Sequence, residues 1–172
     1  AIGNAIVDVI SPADDAFLDA QGLAKGGMTL IDEARASHLY SVMAAGVETS
    51  GGSAANTAAG VASFGGRAAY LGKTARDGLG EVFAADMAHI GVRFSTPPLE
   101  SGPTTARCLI NVTADGQRTM ATFLGASTLF APGDVDPAVI EASKIVYLEG
   151  YLFDPHEARE AFAKAAGLCR GA

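Results

Sequence analysis

The sequence predicts an α/β fold, a mostly parallel central sheet flanked by helices, with one antiparallel hairpin standing outside it. Ala1 to Ile10 is apolar on both faces, as suits a strand covered on both sides in a parallel sheet. Helical and strand-like stretches then alternate from Ser53 to Ile90, the signature of crossover units that feed one sheet. Thr104 to Thr113 has another texture. Ala106, Cys108, Ile110 and Val112 fall on one face and Arg107, Leu109 and Asn111 on the other, which is antiparallel patterning.

Each element has its own signals. Asp14 to Ala20 is helical, Gly26-Gly27 breaks it, Met28 to Ile31 is a short extended piece, and Asp32 caps a helix reaching about Ala45. Glu48 to Ser50 leads into Gly51-Gly52. Ser53 then reads as the N-cap of a helix to Phe64, with Asn56 at N3 and Gly65-Gly66 at its end. Ala68 to Gly72 is the next strand. Glu81 to Ile90 is a helix whose core stripe is Val82, Phe83, Met87 and Ile90, stopped by Gly91. After the alternating strand, Asp115-Gly116 is a hairpin turn and Arg118 to Leu124 returns beside it. Lys144 to Glu149 resumes the buried-strand type. Asp154-Pro155-His156-Glu157 forms a capping box with proline at N1, opening a helix to about Leu168. That crossover helix should deliver another parallel strand, so the sequence reads as a fragment cut at both ends.

The 172 residues suit one domain, long enough to hold a core without staples. A net charge of -7 without any basic run excludes a nucleic-acid partner, because phosphate neutralisation needs clustered Lys and Arg. The apolar runs are too short and interrupted to span a membrane. Cys108 and Cys169 lack C-x-x-C spacing and the three histidines are scattered, which supports neither a redox pair nor a zinc cluster and fits cytoplasmic surroundings.

Chemistry concentrates at Gly51-Gly52-Ser53-Ala54-Ala55-Asn56. Two residues without Cβ let a small polar molecule reach the main chain at a helix start, where unpaired N–H groups point outward. Asp8 sits near the C-terminal end of the first strand, the edge where open α/β sheets bind ligands, and its carboxylate can accept two hydroxyl protons at once, which suits a vicinal diol. Strand alternation would put Asn4 on the same face. Gly72-Lys73-Thr74 is no Walker A loop, since Arg67 stands where the motif wants glycine and the intervening residues read as strand. Nor does a G-x-G-x-x-G open a helix after the first strand, so a dinucleotide enzyme has no support.

Asn4 to Asp8, then Gly-Gly-Ser-x-x-Asn, then Gly65, Lys73, Asp77 and Gly80, resemble the ribokinase-like (PfkB) family of carbohydrate and nucleoside kinases over nearly the whole chain. Within it the nearest likeness is to adenosine kinases, through Gly3-Asn4 with Asp8, the Asp115 to Thr119 turn and Tyr147-Leu148-Glu149-Gly150-Tyr151. The resemblance implies a ribokinase-like α/β fold with a small β lid at about 10–31 and 93–124. It implies ATP and Mg2+ as cofactors and a nucleoside or sugar as acceptor. Asp8 would accept from ribose hydroxyls, with Asn4, Gly51, Gly52, Ser53 and Asn56 lining the pocket and Tyr151 or Leu152 stacking on a base or else packing in the core. Arg118 would meet phosphate charge. Ala75 departs from the glycine expected there. The family's catalytic aspartate belongs to a Gly-Ala-Gly-Asp motif that this sequence does not contain, so the chain corresponds to the acceptor-binding N-terminal part. The resemblance also allows a homodimer through the lid hairpin, on which the polar positions here cast no vote. A non-catalytic nucleoside- or sugar-binding module is the rival reading for a native chain that stops at Ala172.

Overall fold

Near its start the chain leaves one sheet for another, and that transfer organises the molecule. In the computed structural model, which describes residues 1–170, Ile2 makes parallel bridges to both Leu71 and Leu148. Residues 3–5 pair with no strand, and β1 (Ile6–Pro12) then enters a separate sheet of five strands. The single strand expected over Ala1 to Ile10 is therefore two segments in two sheets. Its second segment is not covered on both faces: Val7 and Val9 are buried, whereas Ile10 is 37% exposed.

The five-stranded sheet is mixed. β1 runs antiparallel to β3 (Val47–Gly51) and parallel to β6 (Ala106–Val112). β7 (Arg118–Phe123) returns antiparallel to β6, as the Asp115-Gly116 turn predicts, and β2 (Met28–Leu30) lies parallel to β7 at the far edge. β1 and β3 thus extend this sheet beyond the expected lid segments, while β5 (Val92–Phe94) lies elsewhere, parallel to β4 (Ala68–Tyr70). On one face of the mixed sheet, Val7, Val9, Leu109 and Ala121 share a core with Leu18 of α1 (Asp15–Ala20) and Leu39 of α2 (Glu33–Val42).

β4 and β5, joined by α4 (Gly78–Ile90), make the crossover unit that the alternation predicts. Ile2 and Leu148 extend this parallel sheet by their bridges. Tyr70 packs with Phe83 and Phe94, ring centroids 5.1–5.9 Å apart, in the core that holds α3 (Ser53–Ser63) and α4. The next residue, Leu71, points the opposite way, into a second core with Ile2, Phe130, Val139 of α5 (Pro137–Glu141) and Phe162 of α6 (His156–Arg170). Helices therefore cover both faces of the sheet at β4, which is why that strand, Ala68-Ala69-Tyr70, is apolar, whereas Arg93 in the middle of β5 is exposed.

Three expectations change in detail. Ile90 is 37% exposed and stands outside the core stripe that Phe83 and Met87 fill. Lys144 to Glu149, bridged to Ile2 at Leu148, is covered on one side only: Val146 and Leu148 pack on the second core, whereas Ile145 is 86% exposed and Tyr147 43%. α6 begins at His156, so Pro155 precedes the helix, its carbonyl accepting the Arg159 N–H (3.2 Å). Among the described residues no helix is long and apolar enough to cross a membrane.

Candidate functional site

The mouth of α3 is set by Gly52, which is its N-cap with φ +89°, in the left-handed region that disfavours a side chain. A Cβ there would also fall 2.5 Å from the Asn4 carbonyl oxygen. Ser53 is thus the first helical residue rather than the cap, and Asn56 stands one position further along than N3, its N–H donating to the Gly52 carbonyl (2.9 Å). The cap has no side-chain oxygen because the tight approach to Asn4 requires glycine. Ser53 and Asn56, three apart on one helix face, are both exposed.

Asp8 lies in the middle of β1, opposite Thr49 and Cys108, not at the end of a parallel strand. Its carboxylate lies over Gly51: a Cβ on that glycine would meet both carboxylate oxygens at 2.5–2.6 Å. Strand register puts Asp8 on the face turned away from α1 and α2, together with Ile10, Met28, Leu30 and Val47, which are 37–66% exposed. Arg118 shares that face. Burial raises the Asp8 carboxyl above its ordinary value and the Arg118 charge partly offsets this. Thr122 donates to the Cys108 sulfur (3.2 Å) in the same row, and burial pushes that thiol up. The result is an acceptor-only carboxylate set in an apolar surface, at the glycine turn that starts α3.

Asn4 does not share the Asp8 face, since residues 3–5 lie between sheets. It is buried, and its Oδ1 accepts from the Ser127 hydroxyl (2.9 Å). Its backbone borders Gly52, so it shapes the turn through the main chain. Tyr151 lies on a 3-10 turn (Gly150–Leu152) with its side chain largely in solvent, 80% exposed, and is not drawn into the glycine turn. Lys73 is committed to Asp134 (2.6 Å), both side chains nearly buried, which accounts structurally for a Gly-Lys-Thr that is not a phosphate loop.

Sequence reasoning missed Glu149 as a site residue. Its Oε2 accepts the Asn4 N–H (3.2 Å) and its Oε1 the Ala54 N–H (3.1 Å). One of the first-turn N–H groups expected to face a ligand is therefore taken by a protein carboxylate. The available signal was a single acid at the end of the apolar run Ile145 to Leu148.

The described residues gather no set of three side-chain metal ligands at this site. The three metal-capable groups that approach one another are His156, Glu157 and Glu160, exposed on α6, whereas Asp8 and Glu149 belong to no such group. Nor does a nucleotide phosphate find a free lysine there, Lys73 being paired.

The family model described as pfkB family carbohydrate kinase matches residues 27–171. The solved adenosine kinase from Sinorhizobium meliloti superposes with a TM-score of 0.88 at 54% identity, covering 99% of this chain and 52% of that one. A probable sugar kinase from Rhizobium etli gives 0.89 at 48% identity, covering 99% and 52%. Among curated proteins, the probable fructokinase-4 of Arabidopsis thaliana is 27% identical over 128 residues, 73% of this chain and 39% of its own length. The chain thus spans about half the length of the solved relatives and about two-fifths of the curated one. These likenesses agree with the α/β, ribokinase-like fold expected from the sequence.

Proposed function

Because the chain belongs to the pfkB family of carbohydrate kinases, we propose that it forms the acceptor-binding part of an ATP-dependent kinase acting on a primary hydroxyl, the 5′-hydroxyl of adenosine or a similar nucleoside. The observation that carries this reading is the Asp8 carboxylate lying over Gly51, beside the α3 mouth, on an open and largely apolar face that it shares with Arg118. An ionised Asp accepts two hydroxyl protons, so it suits the diol of a ribose, while exposed apolar side chains suit a base. A half-buried carboxylate left without hydroxyl partners is costly, which disfavours analogues lacking them. The 54% identity to the Sinorhizobium meliloti adenosine kinase supports the nucleoside.

In the whole kinase ATP with Mg2+ would supply the phosphoryl group, and the residues described here would orient the alcohol that receives it. Asp8 and the Gly51-Gly52 turn hold the diol side, Ser53 and Asn56 border it from α3, and Arg118 adds positive charge on the same sheet face. The mixed sheet serves as the lid, excluding water from the reacting groups.

A sugar acceptor is the second reading, favoured by the fructokinase likeness and the 48% identity to a probable sugar kinase. Turnover of ATP by the full-length protein with adenosine, inosine, ribose and fructose side by side separates the two. Adenosine is expected to be preferred, and preference for a free sugar overturns the nucleoside assignment. Asp8→Asn should raise the acceptor KM by about 10- to 100-fold through loss of charged hydrogen bonds, leaving the ATP KM within about twofold. Equal loss for both substrates contradicts the role given to Asp8.

A further inference from the structure

Glu149 is 3% exposed and has no cationic partner among the ion pairs of the described residues. Desolvation disfavours its charge, which the amides of Asn4 and Ala54 help to stabilise, the latter in the first turn of α3. The residue itself is fixed to the parallel sheet: its N–H donates to the Ile2 carbonyl (3.0 Å), and the Ile2 N–H donates to the Tyr147 carbonyl (2.8 Å). Gly3 gives it room, since a Cβ there would lie 2.5 Å from Oε2 and 2.6 Å from the Ala54 Cβ.

The two amides held in this way occupy informative places. Asn4 belongs to the unpaired stretch between the two sheets, two residues before the strand that carries Asp8. Ala54 lies between Ser53 and Asn56 on α3. Without Glu149, the transfer peptide and the helix start would keep their separate backbone bonds but lose the group that fixes one against the other.

We propose that Glu149 is a positioning residue: its two carboxylate oxygens hold the Asn4 and Ala54 amides in one fixed relation, and through them set the Asp8 strand against the α3 face of the acceptor site. It acts through the main chain and touches no acceptor. The kinetic part of this inference rests on the acceptor-site reading above; the amide-exchange part does not.

The test uses the full-length protein with Glu149→Ala and Glu149→Gln. Glutamine keeps one acceptor oxygen and turns its NH2 toward the other amide, so it should behave as an intermediate. Hydrogen exchange without substrate is expected to speed at Asn4 and Ala54 by about tenfold or more in the alanine variant and less in the glutamine variant, with the Thr105 amide unchanged. The acceptor KM should rise in the same order, with the ATP KM within about twofold. A raised acceptor KM with unchanged exchange at Asn4 and Ala54 would overturn the proposal in favour of direct contact. Exchange accelerated equally at Thr105 would overturn it in favour of general destabilisation. If Glu149→Ala does not fold, the glutamine variant carries both readouts. If the wild-type protein phosphorylates no alcohol while the exchange pattern holds, the kinase reading fails and the anchoring role stands.

Discussion

Asp77 illustrates how much one carboxylate can tie together. Its Oδ1 accepts from the Gly80 N–H (2.8 Å), capping α4, and from the Thr105 hydroxyl (2.6 Å), while Oδ2 accepts the Thr105 N–H (2.8 Å) at the entry to β6. Burial pushes its pKa up, but the bonds from Thr105 and Gly80 outweigh this and leave it below the ordinary value. A lowered folded-state pKa means that the stabilisation is present at neutral pH and is lost as the pH falls through that lowered value. Asp77→Asn should therefore cost about 1–3 kcal/mol in urea unfolding near pH 7, and the cost should shrink in acid. A cost that is independent of pH contradicts the assignment. Asp8 and the glycine turn were legible in the sequence because their residue types announce chemistry. Glu149 was not, because its partners are backbone groups 95 and 145 residues away.

Among the elements, the hairpin of β6 and β7 and helices α1 to α4 follow from local signals: alternation, Asp-Gly, caps and terminal glycines. β1 and β3 could not be assigned to their sheet in the same way. Sheet membership depends on non-local pairing, and an apolar run looks alike whether it continues in one sheet or crosses to another. Lys73 and Asp134 supply a second non-local link, joining the segment after β4 to a 3-10 turn (Pro132–Asp134). With both side chains only 11–12% exposed, removing one partner strands a charge. Lys73→Met should lower stability by about 3 kcal/mol, and adding Asp134→Leu should restore part of it. Additive losses in denaturant melts would argue that the pair is not coupled.

At the scale of the whole molecule, a second exposed apolar surface besides the Asp8 face lies at the Leu148 side of the parallel sheet, where Ile145, Tyr147, Tyr151 and Phe153 are 43–86% exposed. An unpaired strand edge with such side chains invites association. Residues 1–172 expressed alone should self-associate in sedimentation, and Ile145→Lys should reduce this without lowering the melting temperature by more than about 2 °C. Unchanged association would place the sticky surface elsewhere. The strand transfer at residues 3–5 has a consequence for ligand choice. Asp8 stands on the mixed sheet and Ser53 at the start of α3, and both elements pack into one continuous core, so whatever binds across them meets a gap of set width. Span then becomes a criterion in its own right, and a molecule with the correct hydroxyls but too little length reaches only one side.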